Sequence, residues 1–248
     1  MLSVFVIVFA ALILAEFGPG SGLALGHRRR VSFMLVRLLA GAVLITGGLG
    51  KVEVPVLALT AMAQALMAIA ILRNGQTPRL MSPLRHFALM LGLIFGVSYL
   101  SAVIRPDAFA SGYWVGGLGA DGLIRFGLSP QRYLSILTVI SGGLLTIRAG
   151  ALLIEAVFVS AGYGKDLDTE CLPGGGAIIG VLERGIIFFL VLIDQITLIG
   201  FLVAAKSFLR LGTVRERRAS EYVIIGALSS FAWAVGLGWA TKTVLLHL

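Results

Sequence analysis

The residues in this sequence that could do chemistry are the polar side chains that interrupt its long apolar segments. Arg148 lies midway through one apolar run, and Asp194 and Gln195 lie near the middle of another. A charged side chain at the centre of a bilayer is costly unless protein or water surrounds it. We therefore expect Arg148 to pair with Asp194, either as a structural tie that fixes helix register or as part of a path for an ion. Arg148, Asp194, Gln195, Glu155 and Gln64 form the predicted intramembrane polar site.

Charged residues also recur at both ends of the second apolar run. Arg184, Gln195 and Lys206 are spaced by eleven residues, about three turns of a helix, so one helix would place them on one stripe. One interpretation is that these polar side chains line a path through the helix bundle. The simpler one, favoured for Arg184 and Lys206, is that both residues anchor the helix at opposite membrane interfaces.

A second candidate site follows this run, at the predicted cytoplasmic end of two helices. Its members are Lys206, Ser207, Arg210, Glu221 and Tyr222. Such side chains could hold a lipid phosphate or another anion, or dock a partner subunit. An enzyme that acts on a lipid headgroup through Glu183, Lys206 and Arg210 ranks last, because one straight helix would separate Glu183 from Lys206 by about 35 Å.

The remaining polar residues predict no catalytic set and no metal site. His27, His86 and His247 lie at the ends of apolar runs without the spacing of metal ligands. The single Cys171 excludes an internal disulfide. The sequence identifies no cofactor, and a non-enzymatic role is favoured over an enzymatic one.

Composition places the chain in a membrane. Its 248 residues are 58% hydrophobic and 13% charged, whereas soluble domains carry about 25% charged residues. The net charge of +8 comes from Lys and Arg clustered at the ends of apolar runs, which is typical of membrane orientation. We therefore predict an all-α, polytopic transmembrane helix bundle that contacts the lipid bilayer and binds no nucleic acid.

Long apolar runs predict seven spans within one integral membrane domain, 1–248. They cover 2–17, 31–49, 54–72, 84–104, 133–161, 177–207 and 222–246. Basic segments near 27–30, 73–85 and 206–218 should lie in the cytoplasm, and the acidic segment 165–170 outside. Counting the apolar, Gly-rich segment 108–128 as an eighth span satisfies this pattern, so eight spans are slightly favoured over seven.

Small residues one turn apart predict close helix packing, because they let helix backbones approach in lipid. One pair lies in the fourth predicted span, and a longer ladder runs along the last. The residues are Gly92 and Gly96, then Gly226, Ser230, Ala234 and Gly238. The longer ladder predicts that the last span packs along one whole face, against the span over 177–207.

The last third of the chain carries a series of short motifs. In order they are Leu182-Glu183-Arg184, Gln195, Gly200-Phe201, Ala204-Ala205-Lys206-Ser207, Arg210, Arg218, Glu221-Tyr222 and Ile225-Gly226. Over about 174–238 this series resembles the C-terminal portion of an uncharacterised family of bacterial multi-pass membrane proteins. The resemblance implies a location in the bacterial inner membrane and brings no assigned activity.

Two functions remain open from the sequence. The favoured one is an accessory or structural subunit of a membrane protein assembly, whose partners are other membrane protein subunits or further copies of this chain. The alternative is a small ion or anionic-solute transporter or channel that uses Arg148, Asp194 and Gln195.

Overall fold

The computed structural model describes residues 2–17, 41, 58, 60–62, 83–104, 129–160, 175–210 and 217–248. Its elements are α1 (Leu2–Phe17), α2 (Pro83–Ile104), α3 (Pro130–Leu144), a π-helical turn (Leu145–Ala149), α4 (Gly150–Ser160), α5 (Gly175–Leu192), α6 (Ile196–Arg210) and α7 (Arg217–Leu246). Within these ranges the chain is helical, which confirms the predicted all-α class. Apart from a few helical positions, the predicted spans 31–49 and 54–72 and the segment 108–128 lie outside the described residues.

Three described helices are long and apolar enough to cross a membrane. They are Phe87–Ile104, Gln131–Val159 and Ile224–Leu246. Large apolar side chains such as Phe201, Phe208 and Trp239 are exposed on the protein surface, where lipid would solvate them and water would not. Length, composition and surface together indicate a membrane protein.

The chain divides into two compact units, of which the first comprises 1–80, 88–144 and 248. In this unit α1 packs against α3. Over 2–13 the side chains of α1 are buried or half-buried, with Val4, Ile7 and Leu12 fully inaccessible, as expected for a helix that is hydrophobic all round. The rings of Phe5 and Phe9 stack at 5.6 Å, and the ring of Phe95 lies 5.0 Å from that of Phe9.

The second unit comprises 81–87 and 145–247, and it contains the candidate site. Helices α5 and α7 run parallel, because Arg184 contacts Ser230 and Asp194 contacts Lys242. Helix α4 runs antiparallel to α7. Its Gly150 lies against Trp233, and its Phe158 lies against Gly226 at the other end.

Helix α6 contributes to the same core as α5 and α7. Ile187, Leu190 and Val191 of α5 are buried together with Ile199 of α6 and Ala234 of α7. The Glu183–Lys206 ion pair, further along α6, shows that this helix turns back beside α5. The three helices therefore share one packed interior in which α6 runs opposite to the other two.

A sharp break separates α5 from α6 at Ile193–Gln195. Asp194 adopts the left-handed conformation with φ 61°. The amide of Gln195 donates to the carbonyl of Leu190 at 2.8 Å, and the amide of Asp194 donates to that of Val191 at 3.2 Å. This pair of hydrogen bonds is the Schellman motif, which ends a helix and reverses the chain. Asp tolerates the left-handed conformation better than most non-glycine residues.

The break overturns the prediction of one span over 177–207. The described chain instead forms two antiparallel helices, α5 and α6, of 18 and 15 residues. The acid–amide pair that was expected at mid-membrane thus lies at a helix end. The beginning of α5 and the end of α6 consequently lie at the same end of this unit. The prediction that Glu183 and Lys206 lie at opposite ends of one span is therefore wrong.

Candidate functional site

Glu183 and Lys206 form an ion pair between α5 and α6. The Lys206 ammonium donates to Oε2 of Glu183, and both side chains are mostly buried. The predicted separation of about 35 Å is wrong because it assumed one straight helix. Chain reversal at Asp194 instead brings together two residues at nearly equal distances from the turn. The distance argument against a joint role for Glu183 and Lys206 therefore no longer applies.

Arg184, the neighbour of Glu183, is buried inside the second unit. Only 3% of its surface is exposed, so it is not the exposed, snorkelling side chain that the sequence predicts. Its Nη1 donates to Oγ of Ser230 at 3.4 Å, which is long for a hydrogen bond. Its Nε is buried and has no hydrogen-bond partner among the described residues.

Glycines bring the backbone close to the Arg184 side chain. A Cβ atom at Gly150 would lie 2.8 Å from Cδ of Arg184 and 2.8 Å from Cδ1 of Trp233, too close for a side chain. A Cβ atom at Gly180 would lie 3.2 Å from Nη1 of Arg184. The guanidinium thus extends toward the beginning of α5, the direction in which helical side chains tilt.

The π-helical turn Leu145–Ala149 lies directly before Gly150. Such turns leave backbone carbonyls without their usual helical partners and are frequent at functional sites. Here Nε1 of Trp233 donates to the carbonyl of Leu145 at 3.3 Å. The ring of Trp233 also meets the edge of Phe87 at 5.9 Å. The π-helical turn, Trp233 and Arg184 therefore form one connected group of contacts.

Asp194 pairs with Lys242 of α7, and the predicted pairing with Arg148 is wrong. Arg148 lies in the π-helical turn with its side chain exposed. The adjacent Ile147 packs against Gly185, and Asp194 lies about 13 Å further along α5. The two residues are therefore at different levels of the bundle.

The other predicted polar residues are either exposed or lie, with their side chains, outside the described part of the structure. Gln195 follows the helix break, and Glu155 lies on α4; both are exposed. Gln64 lies outside the described residues. Ser207 and Arg210 belong to α6, and Glu221 and Tyr222 to α7. The side chains of these four lie outside the described part. Of the predicted cytoplasmic site, the structure therefore describes the side chain of Lys206 alone.

The two predicted sets of small residues differ in what surrounds them. In α7, Ala234 is fully buried and Ser230 meets Arg184. A Cβ at Gly238 would lie 2.9 Å from Cβ of Val191, and one at Gly226 would lie 2.7 Å from the Phe158 ring. In α2, no described atom lies within 4 Å of a Cβ built on Gly92 or Gly96. The α7 ladder is thus packed inside the protein, while the α2 pair faces open space.

Sequence reasoning missed several residues of this region. Lys242 lies near the end of an apolar helix and was not considered as a partner for Asp194. Gly150 and Trp233 are ordinary residues for a membrane helix. Only the structure shows that both pack beside Arg184. A usable signal was the length of 177–207, about 46 Å as one helix, well beyond a bilayer core of about 30 Å.

Comparison with known proteins adds no further assignment. No family model, no curated protein and no solved structure matches this chain.

Proposed function

We propose that this protein is an accessory or structural subunit of a membrane protein assembly. The proposal includes a polytopic arrangement in the bacterial inner membrane, in which the α5–α6 hairpin takes the place of the single span predicted over 177–207. The observation that carries it is an open face on α2 that has the chemistry of a helix–helix interface.

The open face of α2 repeats with the period of a helix. Ala88, Gly92 and Gly96 are exposed and four residues apart. Leu89 and Tyr99 beside them are 57% and 65% exposed. Small residues at this spacing form a shallow groove into which another helix can settle. Large apolar neighbours would then pack against the sides of that helix.

The α7 ladder shows how this chain uses such a groove. There the small residues accept Arg184, Val191 and Phe158 from neighbouring helices. The same pattern on α2 has no occupant among the described residues. The occupant that fits is an apolar transmembrane helix of another subunit, because lipid chains cannot match the groove as closely as side chains do.

The orientation of the second unit also fits an inner-membrane protein. The Glu183–Lys206 pair places the beginning of α5 and the end of α6 together. Lys206 and Arg210 of α6 and Arg217 and Arg218 of α7 give this end a strong basic character. Basic segments are retained in the cytoplasm, so we assign this end to the cytoplasmic side.

The alternative, an ion or anionic-solute path through Arg148, Asp194 and Gln195, has less support. Asp194 is paired with Lys242, and the Arg148 side chain is exposed at another level. The ion pair ties the helix break to α7, which is a structural role.

Purification from native membranes with and without a blocked α2 groove tests the proposed function. A bulky Ile at Gly92 and Gly96 should fill the groove and release partners that copurify with the wild type in fixed stoichiometry. Gly236→Ile is the matched control, because Gly236 of α7 also has no described atom within 4 Å of its Cβ position. Recovery of the wild type as a monodisperse monomer without partners would contradict the proposal. Self-association lost in the α2 variant would identify the partner as a second copy.

A further inference from the structure

Arg184 carries a positive charge in a place where a charge needs compensation. It is 3% exposed, and no carboxylate pairs with it in the described structure. Its single described hydrogen bond is the 3.4 Å contact with the neutral hydroxyl of Ser230. A buried charge without a partner strongly destabilises a protein. An arginine held in this way therefore calls for an anion.

The nearest acid compensates this charge only in part. Glu183 is adjacent to Arg184 in sequence, and neighbouring residues on a helix do not face each other. Its carboxylate is instead engaged by Lys206. The group of Glu183, Arg184 and Lys206 thus contains two cations and one anion. The surplus positive charge resides on Arg184, the most deeply buried of the three.

The shape of the guanidinium specifies what could fill the gap. Its Nε and Nη groups form a planar fork that matches two oxygen atoms of a phosphate or a carboxylate. The Nε donor is buried and free among the described residues. The hydroxyl of Ser230 adds another polar group beside Nη1. An oxyanion could accept from this fork and leave no buried donor unpaired.

The positions of Arg184 and Lys206 along their helices favour a phosphate as the bound anion. Lys206 lies four residues before the end of α6, about 6 Å along the helix. Arg184 lies about 13 Å from the beginning of α5 and extends toward that beginning, past Gly180. Both cations thus approach the same end of this unit, and basic side chains that lie near a membrane surface bind lipid headgroups.

We propose that Arg184 is the anchor of a phosphate-binding site at the junction of α4, α5 and α7. The Arg184 fork binds the phosphate oxygens, Ser230 donates beside it, and Lys206 adds positive charge from α6. The phosphate belongs either to the headgroup of an anionic lipid or to a soluble phosphate ion. This site is separate from the α2 groove, and its existence does not depend on the assembly role.

Thermal unfolding and native mass spectrometry in a maltoside detergent, which contains no phosphate, test the site. Inorganic phosphate is added in one arm and a short-chain phosphatidylglycerol in the other, with chloride at matched ionic strength as the reference. At a hundredfold excess over Kd, a bound ligand should raise the Tm of the wild type by about 5 °C or more. The arm that produces the rise, with the corresponding mass adduct, identifies the source.

Three variants distinguish a built site from general charge attraction. Arg184→Lys keeps the charge and loses the fork, so the Tm rise should fall by half or more, and Arg184→Gln should abolish it. Lys242→Met removes a lysine from the other ion pair and should leave the rise unchanged. If Arg184→Gln fails to fold, the Tm rise of Arg184→Lys and the mass adducts of the wild type still test the proposal. The proposal would be overturned if neither ligand raised the Tm of the wild type or gave a mass adduct. It would also be overturned if Lys242→Met lost as much of the Tm rise as the Arg184 variants.

Discussion

Substitution of Asp194 tests the helix break through the sign of one stability difference. Asp194→Ala and Asp194→Gly both remove the carboxylate, so the loss of the pair with Lys242 is common to them. What differs is the cost of φ 61° at this position. A left-handed conformation costs a residue with a Cβ about 1–2 kcal/mol, whereas glycine adopts it freely. Counting the greater entropy that glycine loses on folding, we expect the Gly variant to be more stable by about 1 kcal/mol.

The alternative of one straight helix predicts the opposite order. In a helix interior, alanine is more stabilising than glycine by about 1 kcal/mol. For a chain of this size, 1 kcal/mol corresponds to a Tm difference of about 2–4 °C. Unfolding followed by the fluorescence of the three tryptophans resolves such a difference. A higher Tm for Asp194→Ala than for Asp194→Gly would refute the reversal of the chain at this residue.

Two further predictions concern packing and charge in the second unit. Gly238→Ala should destabilise by about 1–3 kcal/mol through overpacking, because its Cβ would lie 2.9 Å from Cβ of Val191. Gly236→Ala lies on the opposite face of α7, where no described atom is within 4 Å of its Cβ position, and should cause no loss in the same unfolding assay. Glu183→Lys and Lys206→Glu should each cost about 1–3 kcal/mol by placing like charges together in a partly buried contact, while the double exchange should recover most of the loss. Equal destabilisation by both Gly variants, or strict additivity of the two charge reversals, would count against these contacts.

Apolar runs were sufficient to predict most of the helix positions that the structure describes. The first run predicted 2–17, where α1 lies, and the run over 222–246 falls within α7. The prediction at 133–161 corresponds to a continuous helical stretch from Pro130 to Ser160. Periodicity and hydropathy report where apolar helices begin and end, so these positions could be read directly.

The candidate site could not be predicted because it depends on one backbone conformation. The run through Asp194 contains no proline, and the glycine that commonly ends a helix is replaced by Asp. The break therefore looked like a polar interruption of one span. Its position decides that Glu183 meets Lys206, while Arg184 is buried against Ser230 of α7. The π-helical turn has no sequence signal either.

The reversal of the chain between α5 and α6 is the central claim, and one distance tests it most directly. Leu182 and Phe208 are exposed and flank the Glu183–Lys206 pair, so they can carry spin labels after Cys171→Ser removes the native thiol. Helices packed side by side have axes about 8–10 Å apart, and we expect a label-to-label distance of about 20 Å or less by pulsed electron paramagnetic resonance in lipid nanodiscs. One straight helix would separate the two positions by about 39 Å. A distance near that value would contradict the hairpin, and with it the burial of Arg184 and the phosphate site.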